Sequence, residues 1–120
     1  MARILFADDD HAMGDLARLA LQADGHIIKL VSDGQEALDA LTSSPAGFDL
    51  LVTDIQMPAL DGLQLAHQAV ALRHDLRILL MSAFVTGVSV PASVSGNVRG
   101  MLTKPISREE LRSAVLSALE

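Results

Sequence analysis

Short apolar runs recur along the chain, and each of them ends at a turn signal or a polar residue. Runs of this kind predict strands, and the most apolar of them predict strands buried on both faces of a sheet. Between the runs, apolar residues are spaced as on one face of a helix. We therefore predict strands over residues 3–7, 26–31, 48–53, 76–81 and 99–103, and helices over residues 11–23, 35–42, 62–73 and 108–119.

Capping residues mark several of the predicted helix ends. Asp10 can cap the first helix, and Asp24-Gly25 carries the chemistry of a helix stop and turn. Ser107 can cap the last helix, and Glu110 three residues later completes a capping box. These signals agree with the helix bounds that the apolar spacing predicts.

The fourth crossover is the exception to this regular pattern. Residues 83–98 should hold its helix, but the segment contains Gly87, Pro91 and Gly96 together with many Val and Ser residues. Helix propensity is poor for such a composition. We therefore expect a fourth helix that is short, irregular, displaced or absent.

Alternating strands and helices predict βαβ units, right-handed crossovers and a parallel sheet. The 120 residues suit one domain with one core, so we expect a single α/β domain over residues 1–120. Half of the residues are hydrophobic and only 2% are aromatic, so the core must be largely aliphatic.

Composition also excludes several classes of function. The net charge is −6 and no basic stripe is present, which argues against direct binding of nucleic acid. The chain has no cysteine, which excludes disulfides, zinc–thiolate sites and thiol catalysis and fits a reducing compartment. We see no signal-peptide pattern and no apolar run near the roughly 18 residues of a membrane span. The expectation is a soluble, cytoplasmic protein without a membrane partner.

Polar groups that carry chemistry follow four of the predicted strands. Asp54 directly follows the third strand, and Pro58 prevents the strand from continuing. In open α/β sheets, ligands bind at the carboxyl ends of the strands. Each of these residues alone has an ordinary structural explanation as a cap, a turn or a surface residue. Parallel strands would nevertheless bring them all to one edge of the sheet: Asp8, Asp9, Asp10, Asp54, Ser82 and Lys104.

This set of side chains predicts phosphoryl chemistry. Clustered carboxylates do not all stay ionised without a cation, so Asp8, Asp9 and Asp54 predict a hard divalent ion, namely Mg²⁺. Asp54 would then be the nucleophile that forms an aspartyl phosphate. The Lys104 ammonium and the Ser82 hydroxyl could contact the remaining phosphoryl oxygens.

At these residues the sequence resembles the receiver domain of bacterial two-component response regulators. The resemblance covers the whole chain and rests on residues 4–10, on Asp54 within residues 52–58, and on the pairs Asp61-Gly62, Ser82-Ala83 and Lys104-Pro105. It implies a flavodoxin-like (βα)5 three-layer sandwich with a parallel sheet in the order 2-1-3-4-5.

The resemblance also implies a phosphorylation-controlled switch in a phosphorelay. Asp54 would take its phosphoryl group from a phosphohistidine on a sensor histidine kinase or a histidine phosphotransfer protein. Mg²⁺ would be held by Asp9, Asp54 and the backbone carbonyl of Gln56, with Asp8 acting through water. Such a domain catalyses only its own phosphorylation and dephosphorylation, and it signals by changing its binding to a protein output partner.

Further roles follow from the same resemblance. Ser82 would be a switch residue, and Ala83 the small residue that leaves room for the phosphoryl group. Gln56 and Phe84 would flank the path of the water that removes the phosphoryl group. A bulky Phe84 could shield that path and predicts slow loss, whereas Gln56 could orient a water and oppose the effect. The family usually has an aromatic switch residue where this chain has Met101.

Met101 has no ring, so we expect it to fill space passively and the segment 83–98 to be the principal element that responds to phosphorylation. These departures, and the lack of an output domain in the sequence, resemble the single-domain receivers that control regulated proteolysis in alphaproteobacteria. The output partner would then be a protein such as a protease adaptor.

Two other interpretations remain open from the sequence. A haloacid-dehalogenase-like phosphotransferase or phosphatase also uses a strand-end aspartate with a second one two residues later, as Asp8 and Asp10 are spaced. That pattern expects Thr or Val where Ala12 stands, and it expects a late acidic pair that is missing here. The other alternative is a receiver-like adaptor that binds its partner without phosphorylation, and Met101 keeps that alternative open.

Overall fold

The computed structural model describes residues 1–83 and 89–120. Five strands and five helices alternate along these residues, and the five strands and four helices with predicted bounds begin and end within two residues of those bounds. The strands are β1 (Arg3–Ala7), β2 (Ile27–Val31), β3 (Leu50–Asp54), β4 (Arg77–Ser82) and β5 (Val98–Thr103). The helices are α1 (His11–Ala23), α2 (Gly34–Ser43), α3 (Gly62–Leu72), α4 (Ala92–Ser95) and α5 (Arg108–Ala118).

The strands form one parallel sheet in the order β2-β1-β3-β4-β5. Ala7 pairs in register with Thr53, Asp54 with Met81, and Ser82 with Thr103. The carboxyl ends of β1, β3, β4 and β5 therefore meet at one edge of the sheet, which confirms the predicted flavodoxin-like architecture.

Alternating side chains of the buried strands build one apolar layer on each face of the sheet. On one face, Ile4, Phe6 and Val52 pack with residues of α1 and α5. On the other face, Leu5 and Leu51 pack with residues of α2 and α3. The buried side chains are mostly aliphatic, as the composition predicts, and this burial is the main stabilising term of the fold.

The predicted caps are present. Asp10 accepts hydrogen bonds from the backbone N–H groups of Ala12 and Met13, and Ser107 and Glu110 form the capping box of α5. Asp61 forms a second capping box with Gln64 at the start of α3. Each cap satisfies backbone donors that a helix start leaves unpaired.

The fourth helix is short, as its composition predicts. Within the described residues, α4 comprises four residues, and Val94 is its buried contact with the core. The Asn97 side chain donates hydrogen bonds to the carbonyl oxygens of His74 and Leu76, and these bonds anchor the start of β5 to the segment that connects α3 to β4. Phe84 and Gly87 lie outside the described residues.

Among the helices that the structure describes, none combines the length and the apolar composition that a membrane span requires.

Candidate functional site

Asp54 is the last residue of β3, and its carboxylate is held at the carboxyl edge of the sheet. The residue is 5% exposed. Its backbone is fixed because the next residue, Ile55, donates its N–H to the Met81 carbonyl oxygen at 2.9 Å. The Gln56 N–H donates to Asp54 Oδ1 at 3.2 Å, which orients the carboxylate.

Asp8 and Asp9 approach Asp54 from the end of β1. Asp8 is buried, and its Oδ1 accepts a hydrogen bond from the Asp10 N–H at 2.9 Å. Asp9 is exposed to solvent. Each of the three carboxylates Asp8, Asp9 and Asp54 offers an oxygen, and these oxygens lie within 4.8 Å of one another. The structure therefore brings together the acidic cluster that the sequence predicts.

Lys104 completes the site from the end of β5. Its Nζ lies 2.8 Å from Asp8 Oδ2 and 2.9 Å from Asp54 Oδ2. Partial burial would lower the pKa of Lys104, but the hydrogen bonds to Asp54 and Asp8 outweigh it, so that pKa is raised. The ammonium is thus kept charged between the two carboxylates.

Ser82 and Ala83 lie at the same edge. Ser82 is the last residue of β4 and is buried, and its carbonyl oxygen accepts the Lys104 N–H at 2.7 Å. Ala83 is exposed. This backbone bond joins the ends of β4 and β5, so the predicted phosphoryl-contacting residues Ser82 and Lys104 are held by one hydrogen-bonded pair of strands.

Met101 lies apart from this group. It is 39% exposed, on the edge strand β5, and pairs in register with Leu80. Gln56 lies beside the cluster and is exposed. The proposed partner of Gln56 in dephosphorylation, Phe84, is outside the described residues.

The electrostatics of the cluster show a shortage of positive charge. Burial raises the pKa of Asp8, and the neighbouring charge of Asp54 raises it further. The hydrogen bond from Lys104 lowers that pKa without cancelling the effect of burial. One ammonium therefore does not compensate the three carboxylates, and the set of oxygen donors fits a hard divalent cation.

The pKa of Asp8 gives a prediction for the metal-free protein. Because the folded-state pKa is raised, Asp8 contributes stability that is present below its unfolded pKa of about 3.9 and is lost as pH rises through the folded pKa. Asn cannot ionise, so Asp8→Asn does not lose stability in this way as pH rises. In EDTA, we therefore expect the melting temperature of Asp8→Asn minus that of wild type to be higher at pH 7 than at pH 4. Asp39→Asn, an exposed carboxylate on α2, is the control, and an equal difference at both pH values would contradict the prediction.

An apolar recess of about 450 Å³ lies next to Lys104, and it could not be predicted from the sequence. Met13 and Leu16 of α1 form one side, and Pro105 and Ile106 form the other. Its polar rim includes Lys104 and Asp10. The recess therefore offers apolar contact area directly beside the carboxylate cluster.

The sequence also did not reveal how closely Gly62 approaches the site. A Cβ built on Gly62 would lie 2.3 Å from the Asp54 carbonyl oxygen and 2.8 Å from the Ile55 Cα. Such distances are impossible without moving the backbone, so only glycine fits there. The Asp61-Gly62 pair was a recognisable motif, but this contact depends on the folded loop.

Comparison with known proteins gives consistent matches. The family model of the response regulator receiver domain matches residues 4–116. The response regulator MprA of Mycobacterium avium is 36% identical over 117 residues, which cover 98% of this chain and 50% of that protein. The chain thus spans about half the length of the curated relatives it matches.

Solved structures match over almost the whole chain. Response regulator protein TrrA from Thermotoga maritima, in complex with Mg(2+)-BeF, has a TM-score of 0.84 and 30% sequence identity, covering 99% of this chain and 100% of that one. The chemotaxis response regulator CheY4 of Vibrio cholerae has a TM-score of 0.87 with 24% identity, covering 99% of each chain. The second match supports the fold alone.

Proposed function

The chain belongs to the response regulator receiver domain family of two-component signalling, and from that premise we propose that Asp54 is its phosphoacceptor. The observation that carries the proposal is the position of the Asp54 carboxylate, 2.9 Å from Lys104 Nζ and within 4.8 Å of the Asp8 and Asp9 oxygens. The family match does not favour the haloacid-dehalogenase alternative. The expected likeness to single-domain receivers of regulated proteolysis stays a prediction.

Hydrogen bonds orient the Asp54 carboxylate, which would attack a phosphorus atom. Its two carboxylate oxygens accept hydrogen bonds from different donors, the Gln56 N–H and the Lys104 ammonium. An Asp54 oxygen forms the new P–O bond, the P–N bond of the donor's phosphohistidine breaks, and its electron pair leaves with the imidazole nitrogen. The domain would thereby catalyse only its own phosphorylation and its own later dephosphorylation.

We assign the divalent cation to the same cluster. Asp9, Asp54 and the Gln56 backbone carbonyl would hold Mg²⁺, and Asp8 would act through a water molecule. The support is the donor set: all oxygens, with an uncompensated negative charge and a raised pKa at Asp8. When bound, the ion supplies neutralisation of the charge on the phosphoryl oxygens.

Lys104 and Ser82 would contact the phosphoryl group. In the structure Lys104 bonds two carboxylates, and a phosphoryl group on Asp54 offers it oxygens of greater charge. The Ser82 hydroxyl, at the neighbouring strand end, would contact another phosphoryl oxygen. Because the Lys104 N–H is bonded to the Ser82 carbonyl, movement of either residue is passed to the other strand.

The phosphodonor would be a protein. The apolar recess beside Lys104 offers the kind of surface on which a phosphohistidine-bearing helix could pack next to Asp54. A histidine kinase or histidine phosphotransfer protein is the donor we propose, and a protein that distinguishes the phosphorylated form is the output partner.

A mass measurement tests the proposed function. The protein is incubated with acetyl phosphate and Mg²⁺, and its intact mass is compared with that of a sample containing EDTA. We expect one phosphoryl adduct that forms with Mg²⁺ and is released by hydroxylamine, as an acyl phosphate should be. No adduct, or an adduct that resists hydroxylamine, would overturn the assignment of Asp54.

Asp9→Ala should separate metal binding from folding. We expect Mg²⁺ affinity to fall by about tenfold or more, because a proposed ligand is lost. The metal-free melting temperature should be unchanged or slightly higher, because Asp9 is exposed and its removal relieves repulsion among like charges. Titration calorimetry and melts in EDTA measure the two effects, with Asp39→Ala as the control. A large drop in melting temperature would show that Asp9 is structural.

A further inference from the structure

The loop between β3 and α3, residues 55–61, is pressed against the first turn of α2. Gly34 is the first residue of that helix and is buried. A Cβ built on Gly34 would lie 2.0 Å from the Leu60 carbonyl oxygen and 2.7 Å from the Leu60 Cβ. Atoms cannot approach so closely, so α2 contacts this loop backbone only because residue 34 lacks a side chain.

The loop is tightly turned at the point of that contact. Ala59 has φ of 69°, and Leu60 donates its N–H to the Pro58 carbonyl oxygen at 2.8 Å. A bond that spans a single residue of positive φ is a γ-turn of the rare, strained kind. Backbone strain of this sort persists only where the surrounding structure enforces it. The α2 backbone packed on Leu60 is a contact that can enforce it.

The far end of the loop cannot absorb a displacement. The Gly62 N–H donates to the Ile55 carbonyl oxygen at 2.7 Å, and Gly62 itself lies against the Asp54 backbone. Asp61, which lies between Leu60 and Gly62, is held by its capping box with Gln64, so a shift of Leu60 is transmitted to the residues from Gln56 to Ala59. Gln56 is the residue whose N–H orients the Asp54 carboxylate.

We propose that Gly34 is a positioning residue for the phosphoacceptor site. Its contact with the Leu60 carbonyl fixes the loop backbone, and the loop backbone fixes Gln56 with respect to Asp54. The first turn of α2 thereby becomes part of the site without touching the phosphoryl group. In the test below, the measurement of Mg²⁺ affinity rests on the proposed function, whereas the measurement of loop order by hydrogen exchange does not.

Gly34→Ala tests the proposal against two matched glycine controls. A Cβ at Gly96 meets no atom within 4 Å, and a Cβ at Gly14 meets only the Leu30 side chain at 3.6 Å. Hydrogen exchange without metal reports the order of the loop through the Gln56 and Gly62 amides, with the β1 amide of Leu5 as the reference for global opening. Calorimetry reports Mg²⁺ affinity.

For Gly34→Ala we expect hydrogen exchange at the Gln56 and Gly62 amides to accelerate more than exchange at the Leu5 amide does. We also expect Mg²⁺ affinity to fall by about tenfold. Gly96→Ala and Gly14→Ala should match wild type in both measurements. A uniform loss of protection, with Mg²⁺ affinity unchanged, would overturn the proposal by showing a role in stability alone. If wild type binds no Mg²⁺, the proposed function fails, and the exchange result still decides the role of Gly34.

A measurement on wild type covers the case in which Gly34→Ala does not fold. If α2 holds the loop, the Gly62 amide and the α2 amide of Ala37 should open together as denaturant is added. The same free energy of opening for both amides supports the proposal. A free energy of opening that is much smaller at Gly62 than at Ala37 would overturn it.

Discussion

Asp54→Asn will leave the protein folded and unable to take up a phosphoryl group. Asparagine has the shape of aspartate, so packing at the end of β3 is retained. Its amide is not a nucleophile, and we expect the rate of phosphorylation by acetyl phosphate to fall at least about 1,000-fold. Intact mass after incubation with Mg²⁺ measures the loss, and circular dichroism checks the fold.

The control for this variant is Asp39→Asn, which removes an exposed carboxylate from α2 and should be phosphorylated at the wild-type rate. One hydrogen bond is expected to weaken in Asp54→Asn, because an amide has one acceptor oxygen where the carboxylate serves both Gln56 and Lys104. Undiminished formation of acyl phosphate in Asp54→Asn would refute the assignment of the phosphoacceptor.

The strands and the edge they share could be predicted from the sequence because both depend on local signals. Apolar runs such as residues 76–81 mark buried strands, and the polar residue after each run marks its carboxyl end. Alternation with helices implies a parallel sheet, which brings Asp8, Asp54 and Lys104 together without knowledge of side-chain positions. The order of the strands came from the family resemblance, since periodicity does not determine it.

The parts that could not be predicted depend on contacts between distant segments. Nothing near Gly34 in the sequence points to the Leu60 carbonyl, which is brought to it by the folded β3–α3 loop. The positive φ of Ala59 is equally hidden, because alanine carries no preference for such a turn. A positive φ can be predicted from the sequence where Gly or Asn stands, because these residues adopt it readily.

The sequence also does not show which side chains pair with one another at the site. Lys104 is expected to contact a phosphoryl group, but the sequence does not show that its ammonium also pairs with Asp8 and Asp54. The raised pKa of Asp8 follows from burial, which a run of three aspartates does not reveal. Asp9 is exposed although it stands beside buried Asp8, because neighbouring residues after a strand end point in different directions.

The pairing of Lys104 gives a second prediction with a large effect: Lys104→Met will destabilise the metal-free protein. The substitution removes the ammonium that lies within 3 Å of two buried carboxylates. Unpaired buried charge costs about 3–5 kcal/mol when fully enclosed. Because the Lys104 side chain is 20% exposed, solvent screens part of this cost, and we expect a loss of about 1–3 kcal/mol at pH 7.

Mg²⁺ should reverse much of that loss. With the ammonium absent, the divalent ion meets carboxylates that no longer share their charge with a lysine, so it should bind the variant more tightly than wild type. Stabilisation by a ligand grows with its concentration relative to the dissociation constant. Urea unfolding with EDTA or Mg²⁺ measures the difference, and Lys29→Met, which alters the only other lysine, is the control. Equal stabilisation of wild type and Lys104→Met by Mg²⁺ would mean that the ion and the ammonium do not compete for the same carboxylates.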